Sequence, residues 1–319
     1  MIAVATSPSR SGIQVHRFRA LGTDCEIQVA TTDDRLWARC RDSTVSWVNQ
    51  FEAKFTRFRD DSLVGRINAA AGNGEWIATD EEADRVFDVA GTLARVTDGI
   101  LDASALPLLR IWNYREKHAE LPSPAVIENA RSLTGWRHVE REPGRIRLPR
   151  AGMGIDLGGF GKEYAVDAVA GVLAMRGATD FLVDFGHDIM ARGHPPDSPF
   201  WRVGVEDARK PGAWWCTLAI NDRGIATSGD YVRRFIKDGR RYGHIIDPRT
   251  GVPADTGCLA ATIIAPSCLE AGVLSTVSFL AGAVRGLRMI EDTFGVEGCM
   301  VMENSLAQSR GFHTYVVGG

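Results

Sequence analysis

Long apolar runs are missing from this sequence of 319 residues. The longest fall well short of the ~20 residues that a membrane-spanning helix needs. The N-terminus, MIAVATSPSRSG, opens with only five apolar residues and has no charged segment before them. It therefore lacks the features of a secretory signal peptide, and it has no cysteine for a lipid anchor. We expect a cytoplasmic protein without a membrane span.

An excess of charge of one sign is missing too. The chain has 37 Lys and Arg against 40 Asp and Glu, mixed throughout, for a net charge of −3. This balance provides no basic surface for nucleic acid. The six cysteines include no C-x-x-C pair, and the seven histidines include no H-E-x-x-H motif. A structural zinc site is not indicated, and we expect the cysteines to be buried thiols in a reducing compartment.

Hydrophobic residues make up 45% of the chain and recur at helical spacing in several segments. Helices are predicted over residues 33–55, 79–97, 122–133, 162–176, 267–282 and 283–294. Thr79 is expected to cap the second of these helices. A strand pair is expected over 13–30, and short β-rich runs are bunched between 180 and 265, which predicts an α+β fold with a mixed or antiparallel sheet and flanking helices. We expect one compact or bilobed domain over residues 13–319, after a disordered tail over 1–12.

A glycine-rich stretch, 156-DLGGFGKEY-164, fits neither common phosphate-binding pattern. A P-loop has Gly six residues before its lysine and Ser or Thr after it, whereas here Asp156 and Glu163 stand at those places. In the dinucleotide fingerprint the third glycine would fall on Leu157. The stretch is either a tight turn with Asp156 as a helix cap and Lys162 on the surface, or an anion site at a helix N-terminus.

Two later stretches, 224-GIATSGDYVRRF-235 and 240-RRYGHIIDPRTGVPA-254, concentrate polar residues. They contain Ser228, Asp230, Tyr231, His244, Asp247 and Arg249. A lone histidine is more often structural than catalytic. His244 and Asp247, however, flank two isoleucines and precede Pro-Arg-Thr-Gly, which is not typical of an ordinary hairpin. The pattern favours a functional role for His244.

The helix predicted after Pro266 carries an unusual glycine. Ser267 and Glu270 form a capping box at its start. Gly272 and Thr276 lie one turn apart on one face, and a glycine inside a helix costs about 1 kcal/mol relative to alanine. The Thr276 hydroxyl either bonds back to a carbonyl one turn earlier or belongs to a site.

Together these stretches resemble the ApbE family, the FAD:protein FMN transferases. The similarity covers nearly everything from residue 17 onward, in eight segments that keep the family's order. They are LGTDCEIQV from residue 21, FTRFRDDSLVGRIN at 55–68, DGILDASALPLLRIW at 98–112, DLGGFGKEYAVDAVAGVLAMRG at 156–177, DFLVDFGHDIMARG at 180–193, GIATSGDY at 224–231, HIIDPRTG at 244–251 and the helix at 266–276. The occurrence of all eight segments in this order makes the resemblance specific.

The resemblance implies residues that hold FAD and Mg²⁺. Those implied for FAD are Leu21, Phe58, Ile100, Leu101, Asp102, Asp156, Lys162 and Ile246. For Mg²⁺ it implies the Gly159 carbonyl and the Thr276 hydroxyl. The family's metal-binding aspartate falls on Gly272, so the hard carboxylate ligand is missing at that position. Glu270 lies about 200° around the helix and is a poor substitute, so Gly272→Asp is expected to restore the ligand.

The resemblance also implies two alternative functions. In the first, the enzyme transfers FMN from FAD to a Ser or Thr hydroxyl of an acceptor flavoprotein and releases AMP, with His244 as general base because its ordinary pKa suits that task near neutral pH. In the second, the chain is an FAD-binding protein or weak FAD pyrophosphatase that has lost transfer through Gly272. The other intact positions favour the transferase.

Overall fold

The computed structural model describes residues 2–4, 12–112, 120–210, 212–230 and 234–318. Internal contacts divide the chain into two compact units. Unit 1 comprises Met1–Glu52, Phe160–Gly229 and Thr256–Gly319, and unit 2 comprises Ala53–Gly159 and Asp230–Asp255. Of the tail predicted to be disordered, Ile2–Val4 form a strand, Gly12 is described, and residues 1 and 5–11 lie outside the described residues, as does Tyr231.

The described residues form eight α-helices and eighteen strands. The helices are α1 (Asp34–Phe55), α2 (Leu63–Ala69), α3 (Glu81–Val96), α4 (Leu106–Ile111), α5 (Pro124–Ser132), α6 (Gly161–Met175), α7 (Cys268–Ala281) and α8 (Ala283–Glu291). The strands are β1 (Ile2–Val4), β2 (Ile13–Ala20), β3 (Thr23–Ala30), β4 (Ile77–Ala78), β5 (Glu140–Glu142), β6 (Arg145–Arg147), β7 (Phe181–Phe185), β8 (Asp188–Arg192), β9 (Trp201–Glu206), β10 (Trp214–Ile220), β11 (Arg223–Gly229), β12 (Arg234–Lys237), β13 (Arg240–Gly243), β14 (Ile246–Asp247), β15 (Val252–Pro253), β16 (Cys258–Ala265), β17 (Glu297–Met302) and β18 (Leu306–Gln308).

Unit 1 is built on an eight-stranded sheet in the order β18-β17-β16-β11-β8-β7-β3-β2, and its pairings are antiparallel. Helix α7 packs on β11 and β16. Gly224 of β11 faces that helix, and the next residue, Ile225, faces an apolar cluster with Trp201 and Leu218 of the small β1-β9-β10 sheet. Successive side chains of a strand point to opposite faces. The central strands are therefore covered on both faces, which explains why every residue of β16 is buried.

Unit 2 contains a three-stranded sheet in the order β4-β6-β5 and two hairpins, β12–β13 and β14–β15. Phe87 of α3 is fully buried, and its ring meets that of Phe55 edge to face at 6.3 Å. The indole N–H of Trp112, which ends α4, donates to the Gly251 carbonyl at 2.8 Å. This bond ties the turn of the β14–β15 hairpin to α4.

The α+β prediction is confirmed, and each of the six predicted helices has a counterpart within a few residues of its predicted bounds. The predicted cap of α3 is wrong: Asp80, not Thr79, is the N-cap, and its carboxylate accepts from the Ala83 amide at 2.9 Å. The Thr79 hydroxyl donates to Asp84 instead, at 2.6 Å. Both residue types cap helices well, so the sequence alone did not distinguish them.

The structure also bears on the expectations for the cysteines and for a membrane span. The six cysteines are free and buried, as predicted. Among the described residues, no helix combines the length and the apolar character that crossing a membrane requires.

Candidate functional site

The first half of the glycine-rich stretch belongs to unit 2, where Asp156 joins two predicted FAD segments. Its carboxylate pairs with the Arg57 guanidinium and accepts from the Gly158 amide at 2.6 Å. Arg57 in turn lies over the ring of Phe58, 4.2 Å from its centroid, and Phe58 is 78% exposed. Asp156 does not cap the following helix, because α6 begins at Gly161 and has no side-chain cap. The capping alternative is therefore wrong.

The segment of Ile100, Leu101 and Asp102 lies beside this stretch within unit 2. The Asp156 amide donates to the Ala103 carbonyl at 2.7 Å. Leu101 is buried, and its side chain lies 3.6 Å from the position that a Cβ would take on Gly159. Ile100 is also buried. The fold thus brings two predicted FAD segments together.

Asp102 is occupied by bonds inside the protein. One carboxylate oxygen accepts from the Ser104 amide and hydroxyl at 2.8 and 2.6 Å, and the other accepts from the Trp136 amide at 2.8 Å. These contacts fix the loop between α3 and α4. They make Asp102 a positioning residue for this loop.

His244 lies in unit 2 between β13 and β14 and is half-buried. Ile246 opens β14 opposite Pro253 and is also half-buried. Asp247 is buried, and its carboxylate accepts from the Arg249 guanidinium at 2.7 Å and from the Arg249 amide at 2.9 Å. Asp247 therefore holds the Pro-Arg-Thr-Gly turn that follows His244.

In unit 1, Lys162 is half-buried rather than a free surface lysine. Its ammonium pairs with the buried Asp188 carboxylate and donates to the Phe185 carbonyl at 3.1 Å. Leu21 begins the tight turn between β2 and β3 with a left-handed φ of 53°, and its amide donates to Glu52 at 2.9 Å. Such turns need positive φ at both central residues, which Gly22 also provides.

Thr276 belongs to a hydroxyl cluster of unit 1 made of Ser228, Ser275 and Thr276. The Ser228 oxygen lies 2.7 Å from that of Ser275 and 2.8 Å from that of Thr276. The bond back to a carbonyl one turn earlier, considered for Thr276, is made by Ser275, which donates to the Gly272 carbonyl at 2.9 Å. Ser275 was missed because the sequence shows only that two hydroxyl residues are adjacent.

Glu163 is a second residue that the sequence analysis missed, since it noted Glu163 only as a departure from the P-loop pattern. It lies in the first turn of α6 and faces Gly272 of α7. The side chain is half-buried, but Oε2 is shielded from solvent and has no hydrogen-bond partner among the described residues. Burial raises the pKa of this carboxyl, against the lowering effect of Lys162. No sequence signal links two residues so distant in the chain.

Hydrogen bonds connect α6 to the start of α7, one helical turn along α6 from Glu163. The Asp167 carboxylate of α6 accepts from the amides of Cys268 and Leu269, at 2.9 and 2.8 Å. Ser267 caps α7 by accepting from the Glu270 amide at 3.1 Å, which is the Ser267 half of the predicted capping box. In the described part of the chain, no group of three or more His, Cys, Asp and Glu residues is arranged to hold a metal ion.

Known proteins match this chain along nearly its whole length. The sequence profile of the ApbE family matches residues 21–300. The chain is 27% identical to the FAD:protein FMN transferase of Salmonella typhimurium in an alignment 327 positions long. The alignment covers 98% of this chain and 90% of that protein.

Solved structures are similar as well. The ApbE protein of Thermotoga maritima superimposes with a TM-score of 0.84 at 29% identity, covering 95% of this chain and 99% of that one. The apo form of the Pseudomonas stutzeri flavinyl transferase ApbE superimposes with a TM-score of 0.83 at 26% identity, covering 98% of this chain and all of that one. This chain belongs to the ApbE family.

Proposed function

We propose that the chain is an FAD:protein FMN transferase that moves FMN from FAD to a Ser or Thr hydroxyl of an acceptor flavoprotein and releases AMP. The observation that carries the proposal is the similarity over 98% of the chain to a relative of that name. The same similarity favours transfer over mere flavin binding. A cytoplasmic location stays a prediction of the sequence.

Two features of unit 2 support FAD as the donor. Phe58 is an exposed aromatic ring already stacked by Arg57, and such a surface suits a planar ring of a ligand. Gly158 and Gly159 are exposed, so their backbone is open to a close approach. A side chain at Gly158 would meet Asp156 at 2.6 Å. The FAD role of the other implied residues, including Lys162 of unit 1, stays a prediction.

The proposed chemistry is a phosphoryl-type transfer with His244 as general base. His244 takes the proton of the acceptor hydroxyl, and the hydroxyl oxygen forms a bond to the phosphorus on the FMN side. The bond from that phosphorus to the bridging oxygen breaks, and this oxygen leaves with AMP. The ammonium of Lys162 provides positive charge for the phosphates. Its bond to Asp188 fixes its position.

Mg²⁺ belongs to the proposal as the ion that would neutralise charge on the phosphate oxygens. Gly159 and Thr276 remain its ligands only as the resemblance implies them. The hydroxyl of Thr276 fits a hard cation, because Mg²⁺ prefers oxygen ligands and keeps several waters. Gly272 provides no side-chain oxygen.

The test is incubation of the purified chain with FAD, Mg²⁺ and an acceptor flavoprotein used by an ApbE relative. We expect AMP and a flavin-labelled acceptor band in equal amounts. AMP without a labelled band would identify a pyrophosphatase. Bound FAD without AMP would identify a flavin-binding protein, and either result contradicts the proposal.

A further inference from the structure

Gly272 stands where the resemblance puts a metal-binding aspartate, and the space in front of it is filled. A Cβ built on Gly272 would lie 2.5 Å from Cγ of Glu163 and 3.1 Å from its carboxyl carbon. The 2.5 Å distance is closer than real Cβ atoms approach other atoms. A side chain at position 272 and Glu163 in its present place therefore exclude each other.

The packing of α6 against α7 explains why these two residues meet. Asp167 bonds the first amides of α7. One turn back along α6 lies Glu163, and one turn forward along α7 from Cys268 lies Gly272. The two helices thus run in opposite directions along this contact, and each turn of one faces a turn of the other.

The Glu163 carboxylate has two properties that suit a metal ligand. Its Oε2 is shielded from solvent and lacks a hydrogen-bond partner among the described residues. Buried oxygens without partners are rare in folded proteins, because each costs the free energy of its lost hydration. The hydroxyl cluster adjoins the same point, since Ser275 donates to the carbonyl of Gly272.

We propose that Glu163 supplies the metal-binding carboxylate that position 272 lacks, so that the ligand has moved from α7 to α6. The cation is a hard divalent ion such as Mg²⁺ or Mn²⁺, which is commonly held by one or two carboxylates together with phosphate oxygens of the substrate. The inference rests on the proposed function for the identity of that substrate. It does not rest on it for the presence of the cation site.

This proposal differs from the expectation that Gly272→Asp alone restores a ligand, which stays a prediction. In this chain the new Cβ collides with Glu163, and a second carboxylate enters the space that the first already occupies. The matched exchange is the double variant Glu163→Gly with Gly272→Asp. It removes one carboxylate and places another on the facing helix.

The experiment measures Mn²⁺ affinity directly, by electron paramagnetic resonance of the purified chain with and without FAD. Glu163→Gln, close to isosteric, should weaken Mn²⁺ binding by at least about tenfold, a loss that even outer partners of metal ligands cause. Glu163→Gly should weaken it equally, and adding Gly272→Asp should recover most of it. Glu270→Gln is the matched control on α7 and should bind Mn²⁺ like the wild type.

Several outcomes would overturn the inference: wild type that binds no Mn²⁺, Glu163→Gln with unchanged affinity, or Glu270→Gln that loses as much. Melting temperatures of all variants separate loss of the ligand from loss of the fold. If Glu163→Gln loses Mn²⁺ but no form of the protein transfers FMN, the proposed function fails and the cation site stands. If transfer occurs and Glu163→Gln changes neither the transfer rate nor the Mn²⁺ affinity, the proposed function stands and the proposed cation ligand fails.

Discussion

His244 is the catalytic residue that the sequence predicts, and it is held half-buried between two short strands. We expect His244→Ala to lower the rate of FMN transfer by about 10²–10⁴-fold, the usual contribution of a general base. The Kd for FAD should change little, because the base acts on the incoming hydroxyl. Single-turnover assays and calorimetry measure the two quantities.

The exposed His313 offers a control, since His313→Ala should alter neither quantity. A His244→Ala variant that loses affinity and rate in equal proportion would show that this histidine serves binding or structure.

Asp184 of β7 makes the stability of the protein depend on pH. Burial raises the pKa of this carboxyl from 3.8 to about 7, and Glu26 adds to the rise, against the opposing effects of the His187 amide and Lys162. The folded state therefore holds a proton that the unfolded chain releases near pH 3.8. Between these two pKa values, stability falls as pH rises, by up to about 1.4 kcal/mol per pH unit.

We expect Asp184→Asn to remove this dependence while keeping an acceptor for the His187 amide. Urea unfolding at pH 5 to 8 should show the wild type losing stability relative to the variant as pH rises. Parallel curves for the two proteins would contradict the raised pKa.

At the scale of elements, the contact between β11 and α7 depends on a missing side chain. A Cβ at Gly224 would lie 2.3 Å from the amide nitrogen of Cys268 and 2.3 Å from the carbonyl carbon of Ser267. Both of these atoms belong to the backbone. Since backbone at a helix start cannot yield as a flexible side chain can, Gly224→Ala should lower the free energy of unfolding by about 1–3 kcal/mol.

Gly171→Ala is the matched control, because this glycine lies in the exposed face of α6 with nothing within 4 Å of a new Cβ. It should raise stability by up to about 1 kcal/mol through helix propensity. Chemical denaturation of both variants measures the difference. Equal and small effects would mean that β11 and α7 have room between them.

Local pattern predicted the elements, and long-range packing decided the details. Helical spacing over 33–55 and the capping box at Ser267 correspond to α1 and to the observed start of α7. Each of these signals is made by residues only a few positions apart in the sequence. The partner of Gly272 could not be predicted, because Glu163 reaches it only once α6 and α7 have packed.

At the scale of the whole molecule, the predicted FAD contacts are spread over both units. Asp156 belongs to unit 2 and Lys162 to unit 1. The sequence places these residues in the order of the family pattern, but it does not reveal their protein partners, Arg57 and Asp188. Those pairs depend on tertiary structure, since neither partner is a neighbour in the sequence.

We expect the intact protein to bind FAD more tightly than FMN, because Asp156 and Lys162 match family positions around the pyrophosphate that FMN lacks. Calorimetric titration of the purified chain with each flavin measures the two Kd values. Riboflavin is a useful control, and it should bind no more tightly than FMN. Equal affinity for FAD and FMN would count against the predicted contacts.

The mutual exclusion of Glu163 and a side chain at position 272 also restricts how such a sequence can arise. A chain that first gained Glu163 while keeping an aspartate at 272 would have met the 2.5 Å collision, and one that first lost the aspartate would have passed through a form without either carboxylate. If Glu163 holds the cation, each single step lowers cation binding or packing, and we expect the two positions to change together. We therefore expect a relative with glutamate aligned to residue 163 to carry glycine aligned to residue 272, and exchange of one position alone to weaken its Mn²⁺ binding.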